Sequence, residues 1–159
     1  MYRGSSHEPK LWVGDQLSVN SEQMQSESPQ GRAWTGEDLD VFRRAYALSL
    51  EMHRISLGFP KIEQYGGLAD QMRRASKSVC ALIVEGQGRQ SASAKEFGRY
   101  LAMAIGSAEE ARLWCRYAKD LGYAEGDRTD AWREEFGHIV RMLQGLRSRL
   151  EDKGGASDH

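Results

Sequence analysis

The sequence predicts an all-α protein, an antiparallel four-helix bundle spanning about Asp38 to Leu150. Three observations carry this. Apolar residues recur at steps of three and four in four separate stretches, which is the period of one helix face. The period-two alternation of a half-buried strand never persists. Of the three prolines, Pro9, Pro29 and Pro60, only Pro60 lies beyond the first thirty residues, so long segments are free to stay helical.

The first helix is expected to open near Thr35-Gly-Glu-Asp38, where Thr35 or Asp38 can accept the unpaired N–H groups of the first turn. Its stripe reads Leu39, Phe42, Ala45, Leu48, Met52, Ile55, and Gly58-Phe59-Pro60 ends it. A turn at Tyr65-Gly66-Gly67 leads to a second stripe of Leu68, Met72, Ala75, Val79, Leu82 and Ile83. Gly86-Gln87-Gly88 is expected to stop the second helix, with Arg89 to Ser93 as the loop. The third helix, from about Ser93 to Leu121, is expected to be the longest, roughly 40 Å at 1.5 Å per residue. Asp127 or Thr129 can cap the fourth, whose stripe is Trp132, Phe136, Ile139, Leu143, Leu146, Leu150. Four such helices with short connections make a bundle.

Length and composition set the frame. A chain of 159 residues holds one domain and a tail. Residues 1–35 are rich in Ser, Gln, Glu and Gly and are expected to be a disordered tail, with a weak apolar cluster at Leu11, Trp12, Val13, Leu17 and Val19. Met24 is an alternative start. The bundle is assigned to 36–151, and 152–159 to a flexible C-terminal tail. A formal net charge of −1 excludes binding to nucleic acid by bulk charge, so any such affinity must come from a local patch. No apolar run approaches the ~20 residues that span a bilayer, and the N-terminus lacks the plan of a signal peptide. Both point to the cytoplasm.

The third helix carries two seams. One is Phe97, Leu101, Ala104, Ala108, Ala111, Cys115, Ala118, whose alanines allow close approach of a neighbouring helix. The other is Tyr100, Met103, Ser107, Glu110, Trp114, Tyr117, Leu121, with residue types enriched at protein interfaces. A helix that only closes a monomeric bundle uses one stripe of ~100°. The second seam is therefore either an oligomer interface, through Tyr100, Met103, Glu110, Trp114 and Tyr117, or a wide buried face within one subunit.

Several strings resemble the bacterial four-helix bundle family named after proteins encoded in ribosomal-RNA intervening sequences. They are Leu39-Asp-Val-Phe42, Phe59-Pro60, Tyr65-Gly66, Gln71-Met-Arg-Arg-Ala75, Glu85-Gly-Gln-Gly-Arg89, Glu96-Phe97, Leu101, Gly106-Ser107, Glu110 and Ala118-Lys-Asp-Leu-Gly-Tyr123. Their order and spacing agree over about 110 residues. Where the family usually carries a proline and an asparagine before the Glu-Gly turn, this chain has Cys80 and Leu82. The resemblance implies an up-down bundle in a ring-like homopentamer. It also implies kinship with the accessory protein of diversity-generating retroelements, which binds a reverse transcriptase and nucleic acid.

Motifs for chemistry are incomplete. Gly86-Gln87-Gly88-Arg89 follows no strand and lacks the Lys-Ser/Thr of a phosphate loop. Glu135-Phe-Gly-His138 fits half of a bundle di-metal site, but no second Glu-x-x-His exists, and a surface Glu/His pair is the expected reading. Cys80 and Cys115 lie in helical patterns without metal spacing and read as small buried hydrophobes, so Cys115 should have a raised pKa. No hydrolytic triad can be assembled. The expectation is a protein with no enzymatic activity, cofactor, metal or small-molecule substrate.

Basic residues give a positive signal. Between Gln71 and Arg99 stand Arg73, Arg74, Lys77, Arg89, Lys95 and Arg99 against only Glu85 and Glu96. Converging on one rim, they would contact phosphates of RNA or DNA, multiplied by a ring. The competing reading is a solvated face with Arg73 or Arg74 paired to Asp70 or to another helix; one of these two arginines is also a candidate bridge between subunits through Glu110. The functional expectation is a scaffold or accessory protein that binds nucleic acid, or an enzyme of nucleic acid such as a reverse transcriptase. The alternative is a protein-interaction or structural module.

Overall fold

A computed structural model of the chain describes residues 35–90 and 93–155; the expectations for 1–34, including Met24, and for 156–159 lie outside them. Four helices form the described structure: α1 (Asp40–Ser56), α2 (Leu68–Arg89), α3 (Ala94–Asp120) and α4 (Gly126–Gly155). No strand occurs among the described residues. Each helix packs on the next in sequence, and α4 packs back on α1, which closes the set around a shared core. The all-α reading is thus what the described residues adopt.

The core is built from the expected stripes with small changes. Met52, Met72, Ile83, Leu101, Trp132, Phe136, Ile139 and Leu143 are fully buried. The alanine-rich seam of α3 is buried along its whole length, from Phe97 to Ala118. Small side chains there let α2 and α4 both pack closely on α3. In α1, Val41 is buried while Phe42 and Ile55 are only partly so.

The helix ends differ from expectation in three places. A short 3-10 turn, Gly36–Asp38, precedes α1, and the Asp38 carboxylate accepts from the Thr35 backbone N–H (2.8 Å) and hydroxyl (3.3 Å). α2 does not stop at Gly86-Gln87-Gly88 but continues to Arg89. Its Gly86 is a contact point: a Cβ there would stand 2.6 Å from Tyr100 Cβ and 3.0 Å from Phe97 Cδ2. The glycine is selected by helix proximity, and the backbone hydrogen bonds carry the helix through it. Finally, α4 with 30 residues exceeds α3 with 27, because it runs past Glu151 into the segment expected to be a tail.

Local stops elsewhere follow residue chemistry. Ser93 caps α3 by accepting from the Glu96 N–H at 3.4 Å. At its other end Gly122 takes φ +71°, and the Tyr123 N–H reaches back to the Ala118 carbonyl at 2.9 Å. That left-handed glycine with a six-to-one hydrogen bond satisfies a carbonyl the helix would otherwise leave open. Tyr123 then closes the corner, its ring tilted against Phe59 at 5.5 Å between centres and its hydroxyl donating to Glu63 at 3.0 Å.

Candidate interaction surfaces

The second seam of α3 divides into a buried and an exposed part. Tyr100 is 7% exposed; its hydroxyl donates to Glu85 at 3.0 Å, and the guanidinium groups of Arg89 and Arg99 lie 5.3 and 5.1 Å from its ring centre. Ser107 is tied to Ser78 of α2 by a 3.0 Å hydrogen bond. Trp114 is half-buried against the core, donates its indole N–H to Glu110 at 3.1 Å, and meets Tyr117 at 5.7 Å. Met103, Tyr117 and Leu121 project outward at 39, 50 and 52% exposure. Steps of three and four place Met103, Trp114, Tyr117 and Leu121 along one side of α3. Over 18 residues at 1.5 Å each that side is roughly 27 Å long. Ser107 and Glu110 stand between Met103 and Trp114 on it, so the exposed apolar side chains are Met103 at one end and Tyr117 and Leu121 at the other, beside half-buried Trp114.

The six basic residues occupy different environments. Arg73 is turned inward, donating to Ser56 Oγ (3.1 Å), Gln64 Oε1 (3.0 Å) and the Gln64 carbonyl (2.8 Å). It ties the start of α2 to the end of α1, so its charge is engaged within the subunit and none of these contacts involves Glu110. Arg74 is exposed and pairs with Asp70 at 3.0 Å. Arg89 pairs with Glu85 at 3.4 Å and Arg99 with Glu96 at 3.2 Å, all on the surface. Such exposed pairs are worth little and open readily to a competing anion. Lys77 and Lys95 are exposed and form no ion pair among the described residues.

Near Lys77 and Arg73, His53 has its Nδ1 buried without a hydrogen-bond partner. Partial burial lowers its pKa from 6.5, and the positive charges of Lys77, Arg73 and Arg54 add to that. The imidazole is thus disfavoured from adding a proton to an already cationic corner.

The thiols are chemically quiet. Burial pushes Cys80 up to about 11 and Cys115 up to about 12, and both are free. A thiolate is therefore scarce near neutral pH. Among the described residues no three His, Cys, Asp or Glu side chains gather as a metal site would require. Glu135 is not the surface partner of His138: it is buried and accepts two hydrogen bonds from Arg44, at 2.7 and 2.8 Å. A second inter-helix knot was not foreseen. Glu51 of α1 accepts from the Trp132 indole at 3.0 Å and from Arg128 at 3.2 Å. No motif marks these pairs, since the partners lie 77 to 91 residues apart.

Four packed helices, with exposed charge on α2 and exposed apolar side chains on α3, define a small all-α domain. Residues 37–145 match the model of the 23S rRNA-intervening sequence protein family, and the chain belongs to that family. A crystal structure of a protein with unknown function from the S23 ribosomal protein family of Bacteroides thetaiotaomicron VPI-5482 has the same fold, with a TM-score of 0.60. The two are 17% identical, over 68% of this chain and 95% of that one. No curated protein matches the chain. Among the described residues no helix is long and apolar enough to cross a membrane.

Proposed function

We propose that this protein is a non-enzymatic, self-associating helical module that acts as a scaffold or accessory protein. The observation that carries the reading is the outer row of α3, Met103, Trp114, Tyr117 and Leu121, left open by a subunit whose own core is already closed. An up-and-down course belongs to this reading, and its support at α2 and α3 is that Ser78 pairs with Ser107 and Glu85 with Tyr100, so advancing along α2 retreats along α3. Five copies in a ring is the assembly that the family resemblance implies, and α3 is its natural contact helix. Sedimentation velocity tests this. The native chain should sediment as an oligomer, and Tyr117→Glu with Leu121→Glu should release folded monomers. A native chain that stays monomeric overturns the reading.

The partner in this reading is nucleic acid, or an enzyme acting on it such as a reverse transcriptase. Its support is the exposed set Arg74, Lys77, Arg89, Lys95 and Arg99, which an assembly repeats in every copy. Arg73 belongs to the subunit's own framework and is left out. Binding to labelled RNA should fall steeply with salt and should weaken when Lys77, Lys95 and Arg99 are changed to Gln in an intact oligomer. Unchanged affinity leaves the protein-interaction alternative, which capture of partners from nuclease-treated lysate would then identify.

A further inference from the structure

We propose that the junction of α3 and α4 at Gly137 binds a phosphate-type oxyanion, held by Arg112, Arg133 and Arg141. Arg133, Gly137 and Arg141 follow one another at single-turn spacing along one side of α4. Arg112 reaches over from α3. A Cβ built on Gly137 would lie 3.7 Å from Cζ and Nη2 of Arg112 and 3.7 Å from Nη1 of Arg141. Two guanidinium groups therefore flank the same bare stretch of α4 backbone. The third cation, Arg133, stands one turn before Gly137 on the same side of α4.

The polar inventory is unbalanced. Arg112 Nη1 donates to both carboxylate oxygens of Glu109, at 3.1 and 3.0 Å, while Arg133 and Arg141 form no ion pair among the described residues. The Nε–H groups of Arg112 and Arg133 are buried with no acceptor. A buried donor without a partner is destabilising, and three like charges add repulsion. A tetrahedral oxyanion corrects both at once, because its oxygens accept several N–H bonds and its charge offsets the guanidinium groups. At Gly137 no side chain of α4 stands between the Arg112 and Arg141 guanidinium groups. The site lies on the α4 side of α3, away from the apolar row and from Lys77 and Lys95. It does not depend on self-association.

Arginine Nε–Hε resonances provide the test, titrated with inorganic phosphate and, separately, with a short RNA lacking a terminal phosphate. The Arg112 and Arg133 signals should shift saturably with phosphate, beyond any change from sodium chloride at equal ionic strength. Gly137→Ala inserts a methyl at ordinary contact distance, and Arg133→Gln removes one cation. Each should weaken binding about tenfold or more with helicity and melting retained. Lys77→Gln with Lys95→Gln should leave it unchanged. A shift with both probes identifies the source as a nucleic-acid backbone; a shift with phosphate alone identifies free phosphate. Signals that move with neither probe, or variants that bind as the native chain does, overturn the proposal.

Discussion

Arg44 and Glu135 show how much a single pair can decide. Glu135 is buried on α4, and Arg44 on α1 meets it with two parallel hydrogen bonds. Such a pair replaced by apolar residues can be nearly neutral, whereas removal of one partner strands the other charge. Arg44→Ala should lower unfolding stability by roughly 3 kcal/mol in urea titrations, and Arg44→Met with Glu135→Leu should recover most of it. His53 is the second residue with a clear expectation. Its proton is disfavoured in the fold, so the unfolded chain binds more protons as pH falls below 6.5. Stability is full above that pH and declines below it. An NMR titration should place the His53 midpoint below 6.5, and Lys77→Gln should move it upward only in part, since burial is the larger cause.

At the scale of the element, α2 and α3 are governed by closeness. Gly86 sits where Tyr100 and Phe97 cross, and Gly86→Ala would place a methyl 2.6 Å from the Tyr100 Cβ. That atom is fixed to backbone and cannot swing away, so overpacking should outweigh the better helix propensity of alanine. A loss of about 1–3 kcal/mol is expected, read as a lower denaturation midpoint. The same glycine explains why α2 was expected to end early. A Gly-x-Gly string reads locally as a break, and only the neighbouring helix reveals that the missing side chain serves packing. Periodicity, by contrast, made the alanine seam legible, because every member from Phe97 to Ala118 shares one face and is buried. The second seam was only half legible: spacing placed Tyr100 and Tyr117 together, but the hydroxyl of Tyr100 finds Glu85 and its ring is covered, while Tyr117 is left outside. Pairings such as Arg44–Glu135 and Glu51–Trp132 were not legible at all. They depend on which helix neighbours which, and polar residues carry no period that announces it.

For the whole molecule, core closure and surface openness lead to one further expectation. Buried thiols titrate later in the fold than in the unfolded chain, from an ordinary value of 9.0 up to about 11 for Cys80 and about 12 for Cys115. Below pH 9 both forms hold the proton and stability is unaffected; above it the unfolded chain releases its proton first, so stability falls. Cys80→Ala with Cys115→Ala should flatten that part of the decline, as seen by comparing melting curves from pH 8 to pH 10.5. Surface openness acts through concentration instead. If the α3 row is covered by other copies, folding is linked to association, and any partner that binds only the folded form raises the melting temperature by mass action. The native chain should therefore melt at higher temperature as its concentration rises. Tyr117→Glu with Leu121→Glu should abolish the dependence while retaining the helical spectrum, because both side chains are exposed in the subunit and their loss opens no cavity. A melting temperature that still rises with concentration in Tyr117→Glu with Leu121→Glu would instead place the subunit contact on a face other than α3.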